Sequence, residues 1–277
     1  MGIPPHFLKE TNTVVKVDCS RKELIVFLSV VIVLDLFFIL ANCPLFPDLL
    51  TWSPFDKLGF VLINFIRHQL DLTTESVLAT WYSSILLLVA GAVALLNSQS
   101  GHFSGWQKWL SRIGWALMGC VLIGLSADEV AQIHESLAHL SNLTGEGVPR
   151  REGAGDWIPL MLPFIIAVAL FMALFFLFIV RKSLTAMVLA LGGLVFWSGA
   201  IVSEAIEAGF WRSNLTYQMR GFIEESCEVI GTTSLLVAFV LFYRKQNGPT
   251  AFSGAHLVAK PEPLGDNNAT RDPTHSV

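Results

Sequence analysis

A chain of 277 residues in which 53% are hydrophobic and only 14% are charged is too apolar to be a soluble domain of this size. The formal net charge of −4 and the lack of any basic run exclude nucleic acid as a partner. The 4 cysteines stand singly, so neither a disulfide framework nor a thiolate zinc site is indicated. The composition therefore predicts an integral membrane protein.

Six apolar stretches qualify as membrane spans, which take about 20 residues of helix; the third and the sixth look shorter because their ends turn acidic. They lie at residues 24–42, 77–96, 113–127, 157–180, 184–202 and 229–243. The first is too long for a signal peptide, and we expect it to remain as the first span. The sequence predicts an all-α, six-span transmembrane helix bundle at residues 23–245, after an N-terminal segment (1–22) and before a disordered polar tail (246–277).

Lys and Arg residues are distributed unequally between the two sides of this bundle. If the N-terminus is cytoplasmic, twelve of the 18 fall on inner segments and the other six on outer loops. Because cytoplasmic loops carry the excess of basic residues in membrane proteins, both termini are predicted to be cytoplasmic.

Asp35 is the one acid in the middle of an otherwise apolar span. An acid at this depth either has a function or is satisfied by a hydrogen bond to a neighbouring span. Both interpretations remain open from the sequence.

Three spans carry acids at the same end of the predicted bundle. Span three continues into Asp128, Glu129, His134, Glu135 and His139, span five ends in Glu204 and Glu207, and span six opens with Glu224, Glu225 and Glu228. At a rise of about 1.5 Å per residue, all three groups reach the outer boundary of the hydrocarbon. We therefore expect them to form one polar site at the outer leaflet.

Helical spacing predicts which of these side chains face one another. If span three continues as a helix, Asp128, Gln132, Glu135 and His139 share one face, whereas His134 and Glu129 lie off it. Like charges repel at the i, i+3 and i, i+4 spacings found in spans five and six, and charges are costly near hydrocarbon. The pattern predicts that bound metal ions, shared protons or loop arginines compensate them.

Carboxylates with one or two imidazoles suit Zn²⁺, Mn²⁺ or Fe²⁺, and Ca²⁺ is also compatible. The predicted metal ligands are Asp128, Glu129, His134, Glu135, His139, Glu204 and Glu228. Glu207, Glu224 and Glu225 are predicted to act as further ligands or as the general base for a metal-bound water. The spacing matches neither the Glu-x-x-His of di-iron bundles nor the His-x-x-x-His of intramembrane zinc hydrolases.

Three functions are compatible with such a site. The first is metal-dependent chemistry, hydrolytic or oxidative, on a lipid or lipid-linked substrate in the headgroup layer. The second is transport of a divalent cation or of protons, with the acids forming an outer vestibule. The third is membrane assembly or interaction, with the acids as a solvated cap. The sequence does not indicate an oligomeric state.

The stretch Ser126-Ala127-Asp128-Glu129-(x4)-His134-Glu135 resembles a signature of bacterial multi-span membrane proteins that have no assigned activity. The resemblance covers about one span. It implies a bacterial inner membrane as the location, and it implies that these acids and His134 belong to one functional unit.

Overall fold

The computed structural model describes residues 21–43, 64–66, 68–71, 77–100, 104–133, 136, 158–207 and 217–247. All regular elements in these segments are helical, and none of the described residues forms a β-strand. The long helices are α1 (Arg21–Asn42), α2 (Leu78–Gln99), α3 (Gly105–Ala131), α4 (Ile158–Phe178), α5 (Leu184–Glu207) and α6 (Tyr217–Asn247). A short 3-10 helix, Val180–Lys182, joins α4 to α5. The all-α prediction is confirmed.

All six long helices are long and apolar enough to cross a membrane. In a bilayer a helix satisfies its own backbone hydrogen bonds, which explains why such apolar sequences adopt this structure. The predicted number of spans is therefore confirmed, and the chain is a multi-pass integral membrane protein. Helix α6 continues to Asn247, two residues into the stretch predicted as the tail, while residues 1–20 and 248–277 lie outside the described segments.

Contacts between the helices show that α2 and α3 run in opposite directions, as do α5 and α6. Ser84, near the start of α2, bonds Ser126, near the end of α3. Ser203, near the end of α5, bonds Arg220, near the start of α6.

Both termini of the helical bundle lie at the same end. Asp35, late in α1, bonds Tyr82, early in α2, so these two helices are antiparallel. Asn97, late in α2, donates to the carbonyl oxygen of Phe239, late in α6, at 3.1 Å, so α2 and α6 are parallel. The start of α1 and the end of α6 therefore share one end of the bundle.

Helix α6 lies at the centre of the bundle and α1 at its edge. Within its most apolar window 67% of the residues of α6 are buried, against 22% for α1. The buried residues of α1 are Leu24, Val31, Asp35 and Phe38, spaced seven, four and three apart, so they form a narrow seam on one face. Asp35 lies within this seam and so faces the protein, while the rest of α1 exposes apolar side chains as expected for a lipid-facing helix.

Glycines allow close approach within two helix pairs. A Cβ added to Gly193 of α5 would lie 2.8 Å from the carbonyl oxygen of Gly231 of α6. A Cβ added to Gly119 of α3 would lie 3.0 Å from the carbonyl oxygen of Gly91 of α2. Small residues are typical of such crossings, since packing drives helix association in membranes where the hydrophobic effect does not.

Candidate functional site

Six carboxylates from three helices converge at one end of the bundle. The members of this carboxylate cluster are Asp128 and Glu129 of α3, Glu204 of α5, and Glu224, Glu225 and Glu228 of α6. All six are half-buried. All six also lie within helices that are long and apolar enough to span a membrane.

Glu225 and Glu228 are at the centre of this cluster. The charged groups that act most strongly on Glu228 are all carboxylates: Glu129, Glu224, Glu204 and Asp128, in that order. Those that act on Glu225 are Glu228, Glu129, Glu224 and Glu204. Two half-buried glutamates at membrane depth are thus surrounded by groups of their own charge.

Hydroxyl hydrogen bonds beside the cluster tie each of its three helices to a neighbouring helix. The Ser84 hydroxyl donates to the Ser126 carbonyl oxygen at 2.9 Å, and the Ser126 hydroxyl is 2.8 Å from the Ser84 carbonyl oxygen. This reciprocal pair joins α2 to α3 two residues before Asp128. The Ser203 hydroxyl donates to the Arg220 carbonyl oxygen at 3.1 Å and joins α5 to α6. The helices that carry the carboxylates are therefore fixed to their neighbours by hydrogen bonds close to the cluster.

The predicted continuation of α3 as one uninterrupted helix is wrong. The helix ends at Ala131, and Gln132 adopts a left-handed conformation with φ 54°, its N–H bonding the Asp128 carbonyl oxygen. Gln132 is the one non-glycine residue with positive φ among the described residues. A left-handed residue interrupts the regular spacing of a helix, and the predicted face that joins Asp128 and Gln132 to Glu135 and His139 depended on that spacing. Glu135 and His139 themselves lie outside the described residues.

Packing of α3 in the bundle, and not the break at Gln132, accounts for the position of Glu129, which precedes that break by three residues. From helical spacing alone we expected it to lie off the functional face, yet it acts on Glu228 more strongly than Asp128 does. The face of α3 that meets α6 is thus set by packing of α3 in the bundle, and it includes Glu129.

Not all predicted site residues can be placed. His134, Glu135 and His139 lie outside the described residues, as does the side chain of Glu207, although its backbone ends α5. Among the residues that are described, no group of three or more His, Cys, Asp or Glu side chains has an arrangement that could hold a metal ion. The predicted ligand and general-base roles stay predictions. The donor type fits the predicted ions, because carboxylate oxygens suit Mn²⁺, Fe²⁺, Zn²⁺ and Ca²⁺.

Asp35 belongs to a second polar group deeper in the bundle. It is 6% exposed, and the Tyr82 hydroxyl is hydrogen-bonded to its Oδ1 atom. Thr233 of α6 lies beside the same carboxyl group. The sequence alone suggested either a function or a hydrogen bond for Asp35, and the hydrogen bond is present.

Sequence reasoning did not single out Tyr82, Ser84 or Ser203, and it named Ser126 only as the first residue of the signature stretch. A hydroxyl side chain within an apolar span was the feature that could have identified them, since such side chains often form hydrogen bonds between helices. The sequence did not indicate which helices are neighbours, so it could not pair them.

Comparison with known proteins assigns the chain to a family from its sequence alone. Residues 24–242 match a family described as a domain of unknown function, DUF8692, which thus extends from the start of α1 into the last turns of α6. No curated protein and no solved structure matches the chain. Because the match includes most of the chain and all six helices, the protein belongs to the DUF8692 family.

Proposed function

We propose that the protein binds a divalent cation in the carboxylate cluster and uses it for chemistry on a lipid or lipid-linked substrate at the membrane surface. The observation that supports this is the position of Glu225 and Glu228, half-buried at membrane depth and surrounded by other carboxylates. Repulsion among ionised groups in a medium of low dielectric is costly, and a bound cation would convert it into attraction.

In this proposal Asp128, Glu204 and Glu228 provide ligands, and Glu129 is among them because its charge acts on Glu228 more strongly than that of any other carboxylate. His134, Glu135 and His139 follow α3 closely in sequence and would complete the ligand set. Glu207, Glu224 and Glu225 would be further ligands or the general base. A bound divalent cation supplies a Lewis acid and lowers the pKa of a water molecule it holds. The carboxylates would bind the cation and accept a proton beside it.

Metal content tests the proposal. Protein purified in detergent should hold Zn, Mn or Fe near stoichiometrically by elemental analysis. Glu225→Gln with Glu228→Gln removes two charges at nearly constant shape and should weaken Mn²⁺ binding at least 10-fold, since even partners outside the ligand set contribute about 10–100-fold. Glu23→Gln is the matched control, because Glu23 is exposed in the first turn of α1 at the other end of the bundle. Unchanged Mn²⁺ affinity in the double variant would refute the proposal.

Cation or proton transport is the second candidate, and Asp35 is the observation that favours it. A transported ion needs polar groups across the membrane, and the Asp35, Tyr82 and Thr233 group lies below the cluster, next to the same helix α6. The two candidates differ in proteoliposomes. Chemistry at the surface predicts no net movement of Mn²⁺ or protons, whereas transport predicts flux that Asp35→Asn abolishes.

We also propose that both termini are cytoplasmic, in the plasma membrane of a bacterium. The excess of Lys and Arg at the end of the bundle that carries both termini supports this orientation. Reporter fusions after Gln246 should therefore give cytoplasmic signals, and fusions within residues 140–156 should give external signals. The reverse pattern would move the carboxylate cluster to the cytoplasmic leaflet.

A further inference from the structure

Asp35 has few partners for an acid inside a membrane. The helices around it are α2, which contributes Tyr82, and α6, which contributes Thr233. Tyr82 is the titratable group in contact with it. The charged residues described on α1 itself, Lys22 and Glu23, lie at the other end of that helix. Glu228, the nearest carboxylate on α6, precedes Thr233 by five positions, which is about 7.5 Å of helix at about 1.5 Å per residue.

The hydrogen bonds around Tyr82 indicate where the proton lies. Its hydroxyl is bonded to Oδ1 of Asp35 and lies 3.2 Å from the carbonyl oxygen of Val31. A tyrosine hydroxyl has one hydrogen, so it cannot donate fully to both oxygens. If Asp35 carries a proton, Asp35 donates to the Tyr82 oxygen and Tyr82 donates to Val31, and each hydrogen is used once.

Burial supports the same assignment. Asp35 is 6% exposed, and the described side chains beside its carboxyl group, Tyr82 and Thr233, are uncharged. An isolated ionised carboxylate in an apolar medium is so costly that such groups become neutral.

We propose that Asp35 and Tyr82 form a proton-binding site inside the membrane, in which the carboxyl group of Asp35 is protonated at neutral pH. Val31 accepts the onward hydrogen bond from Tyr82. The ligand is a proton and not a metal ion, because Tyr82 and Asp35 are at hydrogen-bonding separation and leave no space for an ion between their oxygens. The site stands whether or not the carboxylate cluster binds a cation.

Isotope-edited infrared spectroscopy tests this site in the full chain. Protein labelled with ¹³C-aspartate should show the carbonyl stretch of a protonated aspartic acid at neutral pH. Asp35 and Asp128 are the only aspartates within the six helices. Asp35→Asn should remove the band, and Asp128→Asn, the matched control, should leave it in place. A labelled wild type without the band, or a band that survives Asp35→Asn when Asp128→Asn is also present, would overturn the proposal.

Tyr82→Phe gives a second measurement that does not depend on Asp35→Asn folding. The phenylalanine keeps the ring that stacks on Phe38, where the centroids are 4.8 Å apart, and removes only the hydroxyl. A protonated Asp35 would lose its hydrogen-bond acceptor, and its carbonyl band should persist and change in frequency. If Asp35 is ionised and Tyr82 is only its donor, no protonated-aspartate band is there to shift, and that result would refute the site.

Discussion

In the presence of a chelator, Glu228→Gln is expected to raise the thermal unfolding midpoint of the protein. Glu228 is half-buried and the charged groups acting on it are other carboxylates. Two unit charges 4 Å apart interact by about 4 kcal/mol at an effective dielectric constant of about 20. Partial protonation and longer separations reduce this repulsion energy. We therefore expect Glu228→Gln to raise the free energy of unfolding by about 1–2 kcal/mol, which raises the midpoint by about 2–8 °C for a domain of this size.

Excess Mn²⁺ should reverse the order of the two proteins. A ligand that binds only the folded state stabilises it in proportion to the logarithm of its concentration over its dissociation constant. The wild type should therefore gain more from Mn²⁺ than Glu228→Gln, which lacks one ligand. Melting curves in chelator and in Mn²⁺ give four midpoints that test this directly.

Glu23→Gln again serves as the control, since it changes the same residue type away from the cluster. Its midpoint should stay within about 0.5 kcal/mol of the wild type, as is usual for surface positions. If Glu228→Gln instead lowers the midpoint in chelator, the Glu228 carboxylate is held by favourable hydrogen bonds or cationic partners. The inference that the cluster is repulsive, on which the proposed function depends, would then be wrong.

The sequence predicted the spans well because hydrophobic length is a local property. A stretch such as 24–42 is apolar enough to be recognised without any knowledge of its neighbours. The starts and ends were less accurate: α3 begins at Gly105 and α6 extends over Tyr217–Asn247, well beyond the apolar runs at 113–127 and 229–243. Polar residues at helix ends carry no hydropathy signal, so their helical state depends on packing.

The candidate site was predictable in depth but not in detail. Counting residues from the helix ends brought the acids of α3, α5 and α6 to one level, and they do meet there. Which face of α3 meets α6 depends on the crossing of the helices, which does not follow from the spacing of acids along a single helix. That spacing put Glu129 off the shared face, although Glu129 was still among the predicted ligands, and its charge does act on Glu228. Pairs such as Asp35 with Tyr82 need the neighbour relations of the whole bundle.

Gly193→Ala is expected to destabilise the bundle strongly although it adds a single methyl group. Its Cβ would lie 2.8 Å from the carbonyl oxygen of Gly231 and 3.0 Å from Cγ of Leu235. The carbonyl belongs to the backbone of α6 and cannot move like the end of a flexible side chain, so α5 and α6 must separate. Overpacking of this kind costs about 1–3 kcal/mol, or about 2–12 °C in the unfolding midpoint.

Gly192→Ala is a control one residue away on the same helix. A Cβ there would have nothing within 4 Å, so alanine should be neutral or should stabilise by up to about 1 kcal/mol through its higher helix propensity. The two variants differ from each other only in which face of α5 carries the methyl group. Because α5 carries Glu204 and α6 carries Glu225 and Glu228, separating the helices should also weaken Mn²⁺ binding in Gly193→Ala and leave it unchanged in Gly192→Ala. Equal midpoints for both variants would show that α5 and α6 do not pack through this glycine contact.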